Sequence, residues 1–347
     1  MKFSNFLFPE SRTTESDSTI IDDSLREAVL CERLGYDAIW LAEHHFDGGC
    51  AYVDPVTFAA AIGATTSNIK IGFAVAQMAL HHPTRFAEQI ALIDNITKGR
   101  IIVGVGRGTA YNFYEFRGYG VDPSEAHERL LEFEEILVGA WTTDNYSHNG
   151  KYWQVDMPVL RPKVYQNPHP PIVRACSGLE STLEMAKQGR PFLMNIQSND
   201  VTKDRITQYK NTMAMSGFND ETIADRLSDS WVWRNVFVCD TDKEAADIGI
   251  PCFRDMRAYL SDNRTRLNTQ EEIQRQAVAT TGAARDSVEH GLIYGSPEKV
   301  SEELSALSDT GIGGIIIHFR LGPMPWDATE NSLRLFSEKV IPELQSN

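Results

Sequence analysis

Gly99-Arg100-Ile101-Ile102-Val103-Gly104-Val105-Gly106-Arg107-Gly108 is apolar and β-branched in its middle and ends on glycines around one arginine. A short apolar run bounded by glycine reads as a buried strand of a parallel sheet. Its Gly-x-Gly-x-Gly spacing superficially suggests a dinucleotide fingerprint. That fingerprint needs a helix to open directly after the glycines. Here the chain continues Thr109-Ala110-Tyr111-Asn112-Phe113, aromatic and loop-like. The open dinucleotide-binding sheet is therefore disfavoured. Glycines also let a ligand approach the backbone closely, with tight barrel packing as the alternative reading. Arg107, at the strand end, presents a fork of donors suited to a phosphate or a ring carbonyl.

Seven further strand-like runs flank this one. They lie near Lys2–Phe8, Ala38–Ala42, Ile69–Ala76, Pro171–Cys176, Phe192–Asn195, Val232–Cys239 and Gly314–Phe319, with the quoted strand at Arg100–Val105. Amphipathic helices separate them. Phe86, Ile90, Ile93 and Thr97 share one helix face, as do Leu130, Phe133, Leu137 and Ala140, and again Val300, Leu304 and Leu307. Strand–helix alternation argues a parallel α/β sheet. Eight units close into a (β/α)8 TIM barrel, here with insertions on the C-terminal face. An open doubly wound sheet shares the alternation, and the count of eight favours the barrel.

One domain over residues 1–347 follows. A typical barrel needs about 250 residues, and two connections hold the excess. Thr142–Pro170 carries an Asn149-Gly150 pair that reads as a hairpin turn. Ser261–Gly291 leaves the C-terminal face after the seventh strand. It is rich in Arg, Gln, Thr and Ala, and a structureless connection of that length reads as a mobile lid.

Lys and Arg number 33 against 48 Asp and Glu, a formal net charge of −15. Such a surface repels phosphate backbones and anionic lipid, so neither nucleic acid nor membrane is an expected partner. The five cysteines contain no Cys-x-x-Cys, which argues against a disulfide framework or structural zinc. No signal peptide or membrane-length apolar run is evident. A reducing cytoplasm is the expected location.

The second strand delivers Glu43-His44-His45-Phe46 to the C-terminal rim. Adjacent histidines there are suited to proton transfer near neutral pH. Ordinary placement would bond one to the backbone and turn the other to solvent. A second pair, His81-His82, makes a four-histidine metal site conceivable, but Pro83 follows directly and opens a helix, and no metal is expected. Ser177, Ser181 and Thr182 sit at the start of another helix, where backbone N–H groups favour an anion. A plain N-cap explains them too. Cys176 reads as a small core residue. Phe46, Tyr111, Phe113, Tyr114 and Phe116 hint at an apolar or aromatic small-molecule substrate, and core packing accounts for them as well.

Together these blocks resemble the bacterial luciferase-like flavin-dependent monooxygenase superfamily. The matches are Lys2-Phe3, Leu41-Ala42-Glu43-His44-His45-Phe46, His82-Pro83, Lys98-Gly99-Arg100 with the glycine strand, Arg129–Glu132, and Tyr294-Gly295-Ser296-Pro297-Glu298. The resemblance implies FMN, in reduced form and as co-substrate with O2, bound at the C-terminal face. It implies oxygenation of a small organic substrate through a flavin 4a-hydroperoxide. Reduced FMN would arrive by diffusion from a separate flavin reductase, and the chain would form a homodimer. Arg107 and Arg129 correspond to phosphate-contacting arginines, with Gly106 and Gly108 beside the former and Ser177, Ser181 and Thr182 beside the phosphate. Glu43 lies near the flavin ring. Ala74-Val75 matches a non-prolyl cis peptide against that ring. His44, with its neighbour His45, corresponds to the proton-transferring histidine. Gly106 stands where luciferase has a reactive cysteine, so light emission is not implied. A deazaflavin- or FMN-dependent hydride transfer on the same fold, or a non-catalytic flavin-binding protein, are the alternatives.

Overall fold

In a computed structural model, which describes residues 1–109, 111–280 and 286–346, eight parallel strands form a closed barrel. They are β1 (Lys2–Leu7), β2 (Ala38–Leu41), β3 (Lys70–Phe73), β4 (Ile101–Gly106), β5 (Ile172–Cys176), β6 (Phe192–Met194), β7 (Trp231–Val238) and β8 (Gly314–His318). Each pairs with the next in chain order, and β8 returns to β1 with Lys2 opposite Gly314. β6, three residues long, joins β7 through Leu193–Trp231 and Met194–Val232. With no stave left unpaired, closure removes the sheet edges that an open fold would have to protect.

Alternation along each stave sorts side chains to two layers. On β4, Ile101, Val103 and Val105 face the surrounding helices, whereas Ile102 packs inside with Phe6, Trp40, Val173 and Trp231. Trp40 and Trp231 meet edge to face, their ring centroids 5.0 Å apart. Space for the Trp40 ring comes from Gly72, where a Cβ would lie 2.5 Å from that indole. A Cβ on Gly104 would sit 1.7 Å from the Phe73 carbonyl oxygen. This glycine of the run is therefore explained by barrel packing, not by a ligand. The three helix faces expected from periodicity are all buried against the staves.

Three expectations are refined. The run Ile69–Ala76 is not one strand. β3 stops at Phe73, the Ala74–Val75 peptide is cis, and Ala76–Gln77 pairs with Val105–Gly106 beyond the break. The hairpin does form, between Tyr146–Asn149 and Gln154–Met157, but with a four-residue loop. Glu132 on the helix Ala126–Thr142 sets that loop, accepting from Trp153 N at 2.8 Å and Tyr152 N at 3.0 Å. Ser261–Gly291 is largely helical where it is described. Ser261–Leu267 finishes a 26-residue helix, Asp242–Leu267, a second helix covers Gln270–Thr280, and Val288–Gly291 forms one turn. Arg, Gln, Ala and Leu are strong helix formers, so the polar composition read as loop equally supports an exposed helix. Residues 281–285, Arg285 included, lie outside the described residues.

Candidate active site

Barrel geometry puts the last residue of each stave at the C-terminal mouth, where barrel active sites lie. A cavity of about 590 Å³ opens there. Another hollow, about 580 Å³, lies at the opposite mouth beside Lys2, Lys70 and Trp231. Its buried Glu134 is engaged by Arg174 and Arg190.

Glu43 follows β2 and is buried. Its Oε1 accepts from His45 Nε2 and from His81 Nε2, each at 2.8 Å, and its Oε2 accepts from Gln77 N at 2.6 Å. Gln77 also donates from Nε2 to the Glu43 carbonyl at 2.9 Å. Burial alone would raise this carboxyl, but His81 and His45 together hold it down at about 2. In return Glu43 outweighs burial at His81 and lifts that imidazole above its ordinary value. The two histidine pairs thus do not converge on a metal. Among the described residues no group of three or more His, Cys, Asp or Glu is arranged to hold one.

His44 lines the cavity. Its Nδ1 lies 3.1 Å from Glu115 Oε1 and 3.4 Å from Asn112 Nδ2. Glu115 comes from the helix Phe113–Tyr119 and also accepts from His45 N at 3.0 Å. Burial pulls the His44 pKa down, but the Glu115 hydrogen bond and charge outweigh it, so His44 stays protonated to higher pH than free imidazole. His45, whose Nδ1 is 3.3 Å from Tyr119 Oη, is buried behind it. The ordinary placement, one histidine bonded to the backbone and the other turned to solvent, is not what is found. Each imidazole has its own carboxylate, because Glu43 and Glu115 flank the pair from two different segments.

Arg107, just past the end of β4, is an exposed residue on the cavity lining and, among the described residues, has no carboxylate within ion-pair distance. Ala74, Val75, Gly106 and Gly108 line the same space. A Cβ on Gly106 would meet Val75 Cγ2 at 2.6 Å. After β5, Ser177 and Gly178 also line it and lead into the helix Leu179–Lys187. Ser181 and Thr182 do not line it. Both hydroxyls donate back to the Gly178 carbonyl at 3.0 Å, and Ser181 Oγ also accepts from Gly178 N at 3.4 Å, so the helix N-cap is Gly178 and neither hydroxyl is that cap. Arg129 does not line it either. It is held by Glu125 at 3.0 Å and stacks on Tyr152, 4.5 Å from that ring, on the hairpin side. Cys176 is a core thiol, pushed up by burial to about 12.

Sequence reasoning missed Gln77, Asn112, Glu115, Arg205, Trp233 and His318. Arg205, from the helix Asn199–Met215, reaches the Ser177 carbonyl at 3.4 Å and lines the cavity. Glu115 carried a signal: one acid inside the aromatic run Phe113–Phe116, where a charge needs a partner. Of the aromatic candidates, Tyr111 and Tyr114 line the cavity, Phe113 and Phe116 are core, and Phe46 is exposed beside Tyr119. The long helix Asp242–Leu267 crosses the mouth. Its Arg264 stacks on Tyr111, 4.6 Å from the ring, and donates to Asn112 Oδ1 at 3.2 Å. Asn268 donates to the Tyr111 carbonyl at 2.7 Å, and Arg117 pairs with Glu272. Arg266 bonds Asn263 at 3.2 Å, and Arg275 pairs with Glu271 on the surface. All five cysteines are free thiols, and no helix among the described residues is long and apolar enough to cross a membrane.

Comparison with known proteins converges on one group. An uncharacterized protein of Sinorhizobium fredii is 30% identical over 190 residues, 54% of each chain. The oxygenase component of a flavin-dependent trigonelline monooxygenase from Acinetobacter baylyi is 31% identical over 174 residues, 50% of this chain and 48% of that one. The chain thus matches about half the length of these curated relatives. A monooxygenase from Streptomyces bottropensis superposes with a TM-score of 0.81 at 24% identity, covering 99% of both chains, which shows the shared barrel. The model of the luciferase-like monooxygenases matches residues 1–313, and the chain belongs to that family.

Proposed function

We propose that this chain is an FMN-dependent monooxygenase that uses reduced FMN and O2 to oxygenate a small organic substrate. The observation that carries the reading is Arg107, a cation without a carboxylate partner among the described residues, on the same cavity as the carboxylate-backed imidazole of His44. A flavin mononucleotide fits the residues present. Arg107, Arg205 and the N-terminal end of the helix behind Gly178 would hold its phosphate. Ala74, Val75, Gly106 and Glu43 would flank the ring. When bound, reduced FMN supplies the electrons that activate O2, so that one oxygen atom enters the substrate and the other leaves as water. His44 holds or releases a proton at its ring nitrogen, with Glu115 fixing the imidazole. The Glu43 cluster keeps His45 and His81 in place behind it.

The family uses flavins, FMN or F420, and an arginine without a carboxylate partner favours a flavin that carries a phosphate over one that does not. Reduced FMN is expected to bind more tightly than reduced riboflavin. Arg107→Ala should cost about 1.5–3 kcal/mol of FMN affinity as a charged hydrogen bond is lost. Anaerobic titration of both flavins into parent and variant checks this. Equal affinities in the parent would remove the phosphate assignment. Hydride transfer with F420 in the absence of O2 would replace the reading.

The same proposal makes the protein a cytoplasmic homodimer, with its flavin reduced by a separate reductase, in keeping with the free thiols. It also gives the helices across the mouth a purpose, since oxygen chemistry on a flavin needs water kept out. The long helix is anchored in the core through Phe253 and Met256, while the stretch beyond Leu260 is tied to the rim mainly by polar contacts: Arg266 to the Asp47 carbonyl, Arg264 to Asn112, Asn268 to Tyr111 and Arg117 to Glu272. Limited proteolysis is expected to cut within 261–280 early in the free protein and late with FMN and substrate bound. Cleavage indifferent to ligand would show a fixed roof.

A further inference from the structure

Arg107 and Arg205 are assigned to the flavin phosphate. Arg264 lines the same cavity, and nothing so far uses its charge. It is a half-buried residue of the helix that crosses the mouth. Two contacts fix its guanidinium. Nε donates to Asn112 Oδ1 at 3.2 Å, and the guanidinium carbon lies 4.6 Å from the Tyr111 ring centroid. The first takes one edge of the planar group and the second takes one face. The edge that carries the two terminal nitrogens is left. Among the described residues neither of these nitrogens has a hydrogen-bond partner, and neither is sealed from solvent.

Neighbouring charges do not fill that edge. On the same helix Arg257 pairs with Asp286, and Arg266 donates to Asn263 at 3.2 Å and to the Asp47 carbonyl at 3.5 Å. Two acids line the cavity, Glu43 and Asp47, and neither is within ion-pair distance of Arg264. Glu43 is bound by His45 and His81, and Asp47 Oδ1 accepts from Gly49 N at 2.7 Å. A guanidinium held in one plane with two donors unfilled matches a planar anion that offers two oxygens. Its plane is already set, so pairing costs little side-chain freedom. The chain as a whole carries a net charge of −15, so an anion is favoured only where arginines gather.

Position says what the anion belongs to. Asn112, which holds Arg264 through Oδ1, has its Nδ2 3.4 Å from His44 Nδ1. The His44 ring centroid is in turn 5.8 Å from that of Phe8. Phe8 opens an aromatic wall on the cavity: it lies 6.0 Å from His318, and Phe6 lies 5.4 Å from His318 and 4.6 Å from Trp233, centroid to centroid. A ligand with its anion on Arg264 thus has the rim imidazole beside it and an aromatic surface for its body. We propose that Arg264 is the substrate-binding cation, and that the substrate is a small carboxylate with an apolar, ring-bearing body. As a substrate subsite it rests on the monooxygenase reading of the cavity; as a carboxylate site it stands separately.

Isothermal titration of the full chain, saturated with FMN, with 2-naphthoate and 2-naphthamide tests it. The two ligands share a shape and differ in charge. Naphthoate is expected to bind about tenfold more tightly, the factor for a charged over a neutral hydrogen bond. That margin should narrow as salt rises. Arg264→Gln removes the charge and keeps a donor for Asn112. It should abolish the margin while FMN affinity stays at the parent value, and Arg107→Ala should leave the margin intact. Equal binding of the two ligands by the parent overturns the subsite, as does a margin that survives Arg264→Gln or is lost in Arg107→Ala. So does an FMN affinity that falls in Arg264→Gln, since Arg264 then serves the phosphate. Should FMN fail to bind, the free chain is titrated instead. A margin there that Arg264→Gln removes and Arg107→Ala leaves keeps the carboxylate site while the flavin reading falls. Normal FMN binding with no margin removes the carboxylate site and leaves the flavin reading standing.

Discussion

Replacing His44 by alanine lowers product formation by about 10²–10⁴-fold, the range for a positioned acid–base group, while FMN affinity changes little. The motive is placement. His44 lines the cavity with Glu115 3.1 Å from its Nδ1, and the anionic phosphate end of a flavin is assigned to other residues. Single-turnover oxidation of preformed reduced enzyme, followed by product mass, separates the chemical step from binding. Parent-like turnover in the variant would refute the role. A conservative partner change sharpens the result. Glu115 raises the His44 pKa by favouring the imidazolium. Glu115→Gln removes that charge, so the pH limb governed by His44 should move to lower pH, with the fold retained because the amide oxygen still accepts from His45 N. A limb that stays in place would assign the titration to another group.

The second large effect concerns stability. Glu43 is a buried carboxylate with two imidazoles and a backbone N–H on its oxygens. Glu43→Ala is expected to destabilise the fold by about 3–5 kcal/mol, the cost of breaking one side of a buried ion pair, read as the shift in a urea unfolding midpoint. The pH dependence has a definite sign. The folded pKa, about 2, lies below the ordinary carboxyl value near 4.3. The stabilisation is therefore complete above the unfolded pKa and is lost as pH falls through it toward the folded one. His81 contributes with the opposite sign. Its raised folded pKa gives stability that is full below about 6.5 and is lost as pH rises through the folded value. Parent protein should be most stable between these two limbs, and the Glu43→Ala protein should lack the acid limb. A variant with the parent's midpoint at neutral pH would show that water replaces the carboxylate at no cost.

Much of the barrel was legible because its signals are local. Each stave is a short apolar run, each helix repeats with its own period, and the end of a stave must face the mouth. That is why His44, Gly106, Arg107 and Ser177 could be placed at the mouth from the ends of their strands, whereas Glu43, Ala74 and Val75 came from the family resemblance; all line one cavity. Arg129, Ser181 and Thr182 show the limit. Their sequence positions were suitable, but nearer partners, Glu125 and the Gly178 carbonyl, hold their side chains elsewhere. The partners that tune the site were not legible. Glu115 meets His44, and Phe6 meets Trp233 and His318, only after strands far apart in the chain are brought side by side. Still, His318 had a local mark, a polar residue ending the run Ile315-Ile316-Ile317 at the mouth. The helices across the mouth were misread because an exposed helix and a polar loop share a composition.

The chain of contacts from Arg264 through Asn112 to His44 separates inheritance of the scaffold from adjustment of its chemistry. Arg264 belongs to a helix outside the staves, yet only one side chain stands between it and the rim imidazole. A change at Arg264 on that outer helix therefore alters proton affinity at the rim, because its charge bears on His44, while every stave and every residue of the inner packing stays as it is.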